Sequence, residues 1–306
     1  MPALAAIVKR IDHIVVRVDD PEPLFDVLAG PLGLPISWPI QSRGWYASGG
    51  VCAGNVCLEI ARLGSARGRA SGSARLFGIA LEPYPLEVSL GELETRGIPH
   101  SLPVLSFGER PDGTRGICWT NVLLGGLAGE GHGMLLRSRW WGVGSVPRRA
   151  LYPLARMLAV GHWARAASPR AGRHIVYMCK YAREVDEVLS AGRAALEESG
   201  GGPLGLVSVA EIILGAVNPE RARQRWQNLL APLLPVERGY WQPASGPGIR
   251  IVPHDESSLL ALVWRARSLA RAEAWLRERR MLGSATPAQV TIDPVAIHGL
   301  DFRLVE

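Results

Sequence analysis

The sequence predicts an α+β fold made of four successive units, each one strand, one helix and then two or three further strands. Three observations carry that expectation. The stretch "DHIVVRVDDPEPLFDVLAGPLGLP" at 12–35 returns as "AEIILGAVNPERARQRWQNLLAPLLP" at 210–235. Weaker copies stand at 73–100 and 258–283. Short alternating or apolar runs with glycine-rich turns follow the copies, which is the pattern of strands.

In the first and third units an apolar strand runs into a helix whose start is marked twice. Asp20 and Asn218 suit the N-cap because their side chains accept orphan amide protons, and Pro21 and Pro219 suit the first helical position. Superposing the two copies sets His13 against Glu211. The second copy reads as a strand, a turn and a helix ending at Gly97; the fourth does the same, with its helix ending near Gly283. The runs read as strands are "GWYASGGVCAGNVCLEIARLG", "GTRGICWTNVLL", "RHIVYMCKY", "ERGYWQPASGPGIRIVPH" and "AIHGLDFRLVE". Residues 125–172 fit no unit and read as an insertion of one or two amphipathic helices. From His132 through Arg173 there is no acidic residue, but there are arginines and tryptophans throughout. The glycine run at 198–205 marks a joint. A first domain over 1–182, a joint over 183–205 and a second domain over 206–306 follow from this reading.

The chain is 306 residues long, 47% hydrophobic and 20% charged, which is globular composition with room for two cores. Its formal net charge is +6, almost all of the positive charge being arginine, since only Lys9 and Lys180 are lysines. That balance favours an anionic ligand without implying nucleic acid. The four cysteines make no zinc spacing and read as reduced thiols. The basic residues of "MPALAAIVKR" follow the apolar stretch, the reverse of a secretion signal, and no apolar run has the length of a membrane span. A cytoplasmic protein is the expectation.

Four such units, arranged as two pairs, resemble the vicinal oxygen chelate superfamily of glyoxalase I, methylmalonyl-CoA epimerase, bleomycin-resistance proteins and extradiol dioxygenases. The stretch "ASGGVCAGNVCLEI" is similar to "SSGGVxAGNVxLE" of its glyoxalase-like branch. The resemblance implies tandem βαβββ units forming two paired domains with open, curved mixed sheets. It also implies a cleft in which a divalent metal, held by histidine or glutamate from the first and last strands of each unit, chelates adjacent substrate oxygens.

On that pattern His13 matches a first-strand ligand and Glu59 a last-strand ligand, so both are candidate metal ligands and candidate catalytic residues. Zinc, iron, manganese or nickel suits such donors. The corresponding positions of the second unit fall near Phe77 and at Lys180, neither of which ligates a metal. Three ways of completing the site stay open: waters, an ion pair of Lys180 with Glu59 replacing the metal charge, or a third ligand from His100 or His174. In the second domain Glu211 holds a first-strand position, Val252 and the region of Leu262 the next two, and Arg303 or its neighbours the last. That domain is expected to be degenerate. His254 and His298 read as turn histidines.

Asn55, Asn121, Trp119 and Lys180 are candidate substrate-binding residues, and Trp38, Trp45 and Tyr46 candidate pocket walls. "GGVCAGN" lacks the features of a nucleotide-binding loop, so no nucleotide cofactor is expected. The 137–170 segment reads as a basic packed helix, as a lid, or, less favoured, as a membrane-surface helix. The resulting expectation is a lyase, isomerase or dioxygenase-like enzyme acting on a small oxygen-rich or aromatic metabolite. The alternative is a small-molecule sequestering protein of the bleomycin-resistance type. Monomer and homodimer both stay open.

Overall fold

The computed structural model describes residues 4–43, 46–63, 73–109, 114–127, 174–181 and 186–306. Expectations that rest on Trp45 or on the 137–170 segment lie outside these residues.

The first unit runs β1 (Val8–Arg17), α1 (Pro21–Ala29), β2 (Ile36–Arg43), β3 (Tyr46–Cys52) and β4 (Cys57–Leu63). The second runs β5 (Arg75–Pro83), α2 (Leu86–Thr95), β6 (Val104–Glu109), β7 (Arg115–Leu124) and β8 (Ile175–Tyr181). Together they make one eight-stranded sheet in the order β2-β3-β4-β1-β5-β8-β7-β6. In each unit the first strand lies parallel to the last, while β1 and β5 meet antiparallel at the centre. A helix, α3 (Asp186–Glu198), follows.

The second sheet repeats the plan with one strand fewer. Its elements are β9 (Leu206–Ala216), α4 (Pro219–Leu230), β10 (Tyr240–Trp241), β11 (Gly248–Pro253), β12 (Ser258–Ala266), α5 (Leu269–Glu278), β13 (Leu282–Ala285), β14 (Val290–Ile292) and β15 (Phe302–Val305). The order is β10-β11-β9-β12-β15-β14-β13. The architecture is therefore the α+β tandem of curved mixed sheets that the repeat predicts.

Local chemistry explains the elements. Asp20 accepts the Glu22 amide proton at 3.3 Å and Asn218 that of Arg221 at 3.0 Å, so both read N-caps form. Gly97, at φ +63°, ends the α2 region as expected. The last helix stops at Glu278, earlier than Gly283, because Arg280 turns left-handed at φ +57° and Gly283 joins β13. Strand β2 escaped the sequence reading because Pro39 interrupts it, which an edge strand tolerates.

Adjacent residues of a strand face opposite sides of its sheet. Ile14, Val16, Leu58, Ile60, Ile79 and Val176 lie on the helix-covered face and join a core that continues into the second sheet through Val209, Ile212, Trp226 and Trp264. The other side of the first sheet, its inner face, carries a smaller cluster of Val15, Ala61, Phe77, Ala80, Leu123, Tyr177 and Cys179. The two glycines of "SGGV" serve the two faces. A Cβ on Gly49 would lie 2.8 Å from the Phe25 ring of α1, and one on Gly50 2.4 Å from the Trp38 ring on the inner face.

Candidate functional site

The register around the central strands defines which residues meet. His13 pairs with Ala80, Ile14 with Ile79 and Val15 with Gly78, so a local two-fold passes through the Ile14–Ile79 pair. Each strand carries a bulge beside it, an extra residue at Asp12 in β1 and at Phe77 in β5. Across the parallel pairs Val15 faces Glu59 and Ala80 faces Tyr177. The equivalent set is therefore His13 and Glu59 in the first unit, Gly78 and Tyr177 in the second.

These side chains converge. His13 Nε2 lies 2.7 Å from Tyr177 Oη and 3.2 Å from Glu59 Oε2. The bulge keeps Asp12 beside its neighbour, and His13 Nδ1 donates to Asp12 Oδ2 at 2.6 Å. Tyr46 donates to Glu59 Oε1 and lies 2.9 Å from Ser48 Oγ. His13 is 5% and Glu59 9% exposed, so the network is shielded from bulk water.

Burial opposes a charge on His13, but the hydrogen bonds and charges of Asp12 and Glu59 outweigh it and push the imidazole up to about 10. Burial likewise favours a neutral Glu59, yet the hydrogen bond and charge of His13, with the Tyr46 and Ser48 hydroxyls, hold its carboxyl below the usual value. Burial first, then the Glu59 charge, pushes the Tyr177 phenol well above its ordinary value.

His13 and Glu59 are two donors of the type a divalent cation takes. The two-ligand spacing matches, since donors ~2.1 Å from one ion at right angles are ~3 Å apart. Asp12 on Nδ1 is the kind of outer partner that orients a ligating histidine, while Nε2, the nitrogen left to ligate, is engaged by Tyr177 and Glu59, contacts an ion would replace. His13 and Glu59 would hold the ion, with Tyr177 adjacent; Gly78 contributes no side chain. Among the described residues no group of three histidine, cysteine or carboxylate side chains is arranged to hold a metal ion, at this site or at any other.

The other sequence candidates are placed as follows. Asn121 lies on the inner face opposite Cys179, between Trp119 and Leu123, and its Oδ1 is buried without a hydrogen-bond partner. Trp119 pairs across from Tyr181 at the half-buried margin of that face. Lys180 is not brought to Glu59: it alternates with Tyr177, Cys179 and Tyr181, and strand alternation turns it to the opposite face. Asn55 is not at the site either. Its Nδ2 donates to the Val209 carbonyl at 2.9 Å and its Oδ1 accepts the Val209 amide at 3.0 Å, tying the β3–β4 turn to the second sheet. Trp38 lies over Gly50 beside Cys52, Cys57 and Leu189. His100 bridges Leu124, whose side chain joins the outer core, and His174 alternates with Ile175, so neither joins His13 on the inner face.

In the second sheet the same register argument selects Glu211, Arg250, Ala261 and Arg303. Arg250 therefore holds the position read as Val252, because the β11–β9 register sets it across from Ile213. Arg250 binds Glu211 through Nε at 2.6 Å and Nη2 at 2.9 Å, and Arg303 binds its neighbour Asp301. Guanidinium has no lone pair for a metal, so this sheet replaces the centre with an ion pair. His254 and His298 lie in turns, as expected.

Residues missed by sequence reasoning are Asp12, Tyr177 and Ser48; Tyr46, read as a pocket wall, instead donates to Glu59. Only Asp12 carried a signal, as an acid inside an apolar run.

No protein-family model and no curated protein matches the sequence. Solved structures do match in fold. The 2,3-dioxygenase LapB from Pseudomonas sp. KL28 is 12% identical, with a TM-score of 0.56 over 98% of this chain and 92% of that one. A homoprotocatechuate 2,3-dioxygenase from Brevibacterium fuscum, solved with 3,4-dihydroxyphenylacetate, is 9% identical, with a TM-score of 0.53 over 99% of this chain and 82% of that one. A hypothetical protein from Staphylococcus aureus is 9% identical, with a TM-score of 0.54 over 96% and 98%. The chain thus shares its overall fold with these extradiol-type 2,3-dioxygenases.

Proposed function

We propose that the inner face of the first sheet binds a small oxygen-rich or aromatic metabolite and carries out acid–base chemistry on it, of lyase, isomerase or dioxygenase-like type, with His13 and Glu59 at its centre. The observation that carries this reading is the buried convergence of His13, Glu59 and Tyr177 on one face, with Asp12 fixing the imidazole. A fold built only for stability gains little from burying such charges, whose desolvation costs more than well-packed apolar side chains would.

One divalent ion held by His13 and Glu59 would supply the positive charge that steadies a substrate oxyanion. Glu59, kept ionised, accepts a proton at Oε2. Tyr177 keeps its proton at Oη and donates a hydrogen bond to a substrate oxygen. Asn121 Oδ1 accepts from a substrate hydroxyl, and the rings of Trp119 and Tyr181 flank an apolar or aromatic portion. The protein is proposed to work in the cytoplasm; no helix among the described residues is long and apolar enough to cross a membrane.

The test is solvent-deuterium exchange into a panel of small hydroxy-carbonyl and phenolic compounds, followed by NMR, with wild type, Glu59→Gln and His13→Ala. Exchange in wild type that both variants lose supports the reading; exchange unaffected by either rejects it. A second reading, sequestration without turnover, is favoured by the way His13 and Glu59 already satisfy each other. It predicts saturable binding on the same face with no exchange.

A further inference from the structure

Cys52 ends β3 and Cys57 begins β4, directly opposite each other. The adjacent pair carries the backbone bond, from the Ala53 amide to the Val56 carbonyl at 2.8 Å, whereas the Cys52 amide turns away to the Pro35 carbonyl at 2.7 Å. The cysteines therefore form a non-hydrogen-bonded pair. In such pairs the Cα atoms lie ~4.5 Å apart, inside the ~4.4–6.8 Å that a disulfide spans.

Both side chains lie on the inner face, and Cys57 is the register partner of His13. They are 0% and 6% exposed. What covers them is α3. Leu189 packs into the same cluster, and α3 comes so close at Gly192 that a Cβ there would lie 2.6 Å from Cys52 Cβ and 2.8 Å from its Sγ. The start of α3 is held to β1 by Asp186, 2.5 Å from Arg10 and 3.8 Å from Lys9. Asp186 is 47% and Arg10 13% exposed, so water screens this pair only in part. Farther along α3, Leu196 belongs to the main core and Arg193 Nε donates to the Gly54 carbonyl at 3.3 Å, so it is the first turns of α3, through Gly192, whose movement uncovers the cysteines.

We propose that Cys52 and Cys57 are a dithiol site that closes to an intramolecular disulfide when the first turns of α3 lift, with a low-molecular-weight disulfide as oxidant. One cysteine, as thiolate, attacks the oxidant and releases one small thiol; the second attacks the mixed disulfide and releases the other. A sulfur–sulfur bond forms between Cys52 and Cys57, the oxidant's own is broken, and two electrons and two protons pass to the two released thiols. The bond fixes the end of the β3–β4 hairpin beside His13 and alters the surface on which Gly192 rests. The site is independent of the reaction proposed above.

The experiment treats the full chain, under native conditions, with oxidised glutathione, then alkylates it and maps the peptides by mass spectrometry. The expected product is one Cys52–Cys57 bridge, about 2 Da lighter than the dithiol, with Cys179 still a thiol. Gly192→Ala, which must push α3 outward, is expected to form the bridge at least ~5-fold faster, and Leu189→Ala provides the same test should Gly192→Ala not fold. The inference is overturned if the bridge appears only at urea concentrations that unfold the protein. It is equally overturned if glutathione adducts persist on either cysteine, or if neither variant changes the rate.

Discussion

Replacing Asn55 with alanine separates a structural role from a substrate-binding one. The side chain makes two hydrogen bonds, 2.9 and 3.0 Å, to the carbonyl and amide of Val209, which is fully buried. Asn55→Ala removes both at once and leaves two backbone groups of β9 without partners. A net hydrogen bond contributes about 1 kcal/mol, and a stranded buried group costs about 1–3 kcal/mol. Asn55 itself is partly accessible, so water recovers some of that loss, and the expected destabilisation is about 2–4 kcal/mol. Urea unfolding followed by fluorescence and circular dichroism measures it, an unchanged slope confirming that the same surface unfolds. Because one core runs through both sheets, a single transition is expected. Metal loading at His13 and Glu59 should be unaffected. A loss below about 0.5 kcal/mol, accompanied by weaker ligand binding, would refute the reasoning and return Asn55 to the substrate.

In the metal-free protein, His13 is raised from 6.5 to about 10, so its stabilising contribution is complete below about 6.5 and is lost as pH rises through about 10. His13→Ala should flatten the alkaline limb of a melting-temperature profile. Glu59 is depressed below 4.5, so its contribution is present above that value and is lost as pH falls through the folded value; Glu59→Gln should flatten the acid limb. Lys180→Met should leave metal loading and ligand affinity unchanged, measured by calorimetry, because Lys180 faces away from Glu59. Glu211→Gln breaks a pair whose side chains are 22% and 31% exposed; its cost should stay near or below about 1 kcal/mol in urea unfolding, with first-sheet metal loading intact.

The repeat was legible because capping is local: Asp20 with Pro21 and Asn218 with Pro219 announce their helices without tertiary information. His13 and Glu59 were legible as well, one on each of two strands that the motif stretch spells out. A bulge adds a residue with no mark in the sequence, so counting along β5 arrived at Phe77 where the register supplies Gly78. Tyr177, three residues before the expected Lys180, is set by the β5–β8 pairing, which no local pattern announces. Arg250, two residues before Val252, was likewise missed because only the β11–β9 register sets it across from Ile213. Asn55 misled for another reason. An amide in a strand turn faces a ligand or a neighbouring backbone equally well, and only the position of β9 decides between them. Tyr46 and Ser48 reach Glu59 across the β3–β4 hairpin, contacts that no spacing along the chain announces.

The central claim is that His13 and Glu59 form the working centre, and metal content tests it most directly. The full chain, purified without chelators or a histidine tag, would be equilibrated in turn with zinc, iron(II), manganese and nickel, dialysed and measured by elemental analysis beside His13→Ala and Glu59→Ala. Close to one equivalent of at least one of these metals is expected in wild type, with its loss in both variants. Metal retained in full by both variants, or none bound by a folded wild type, would contradict it.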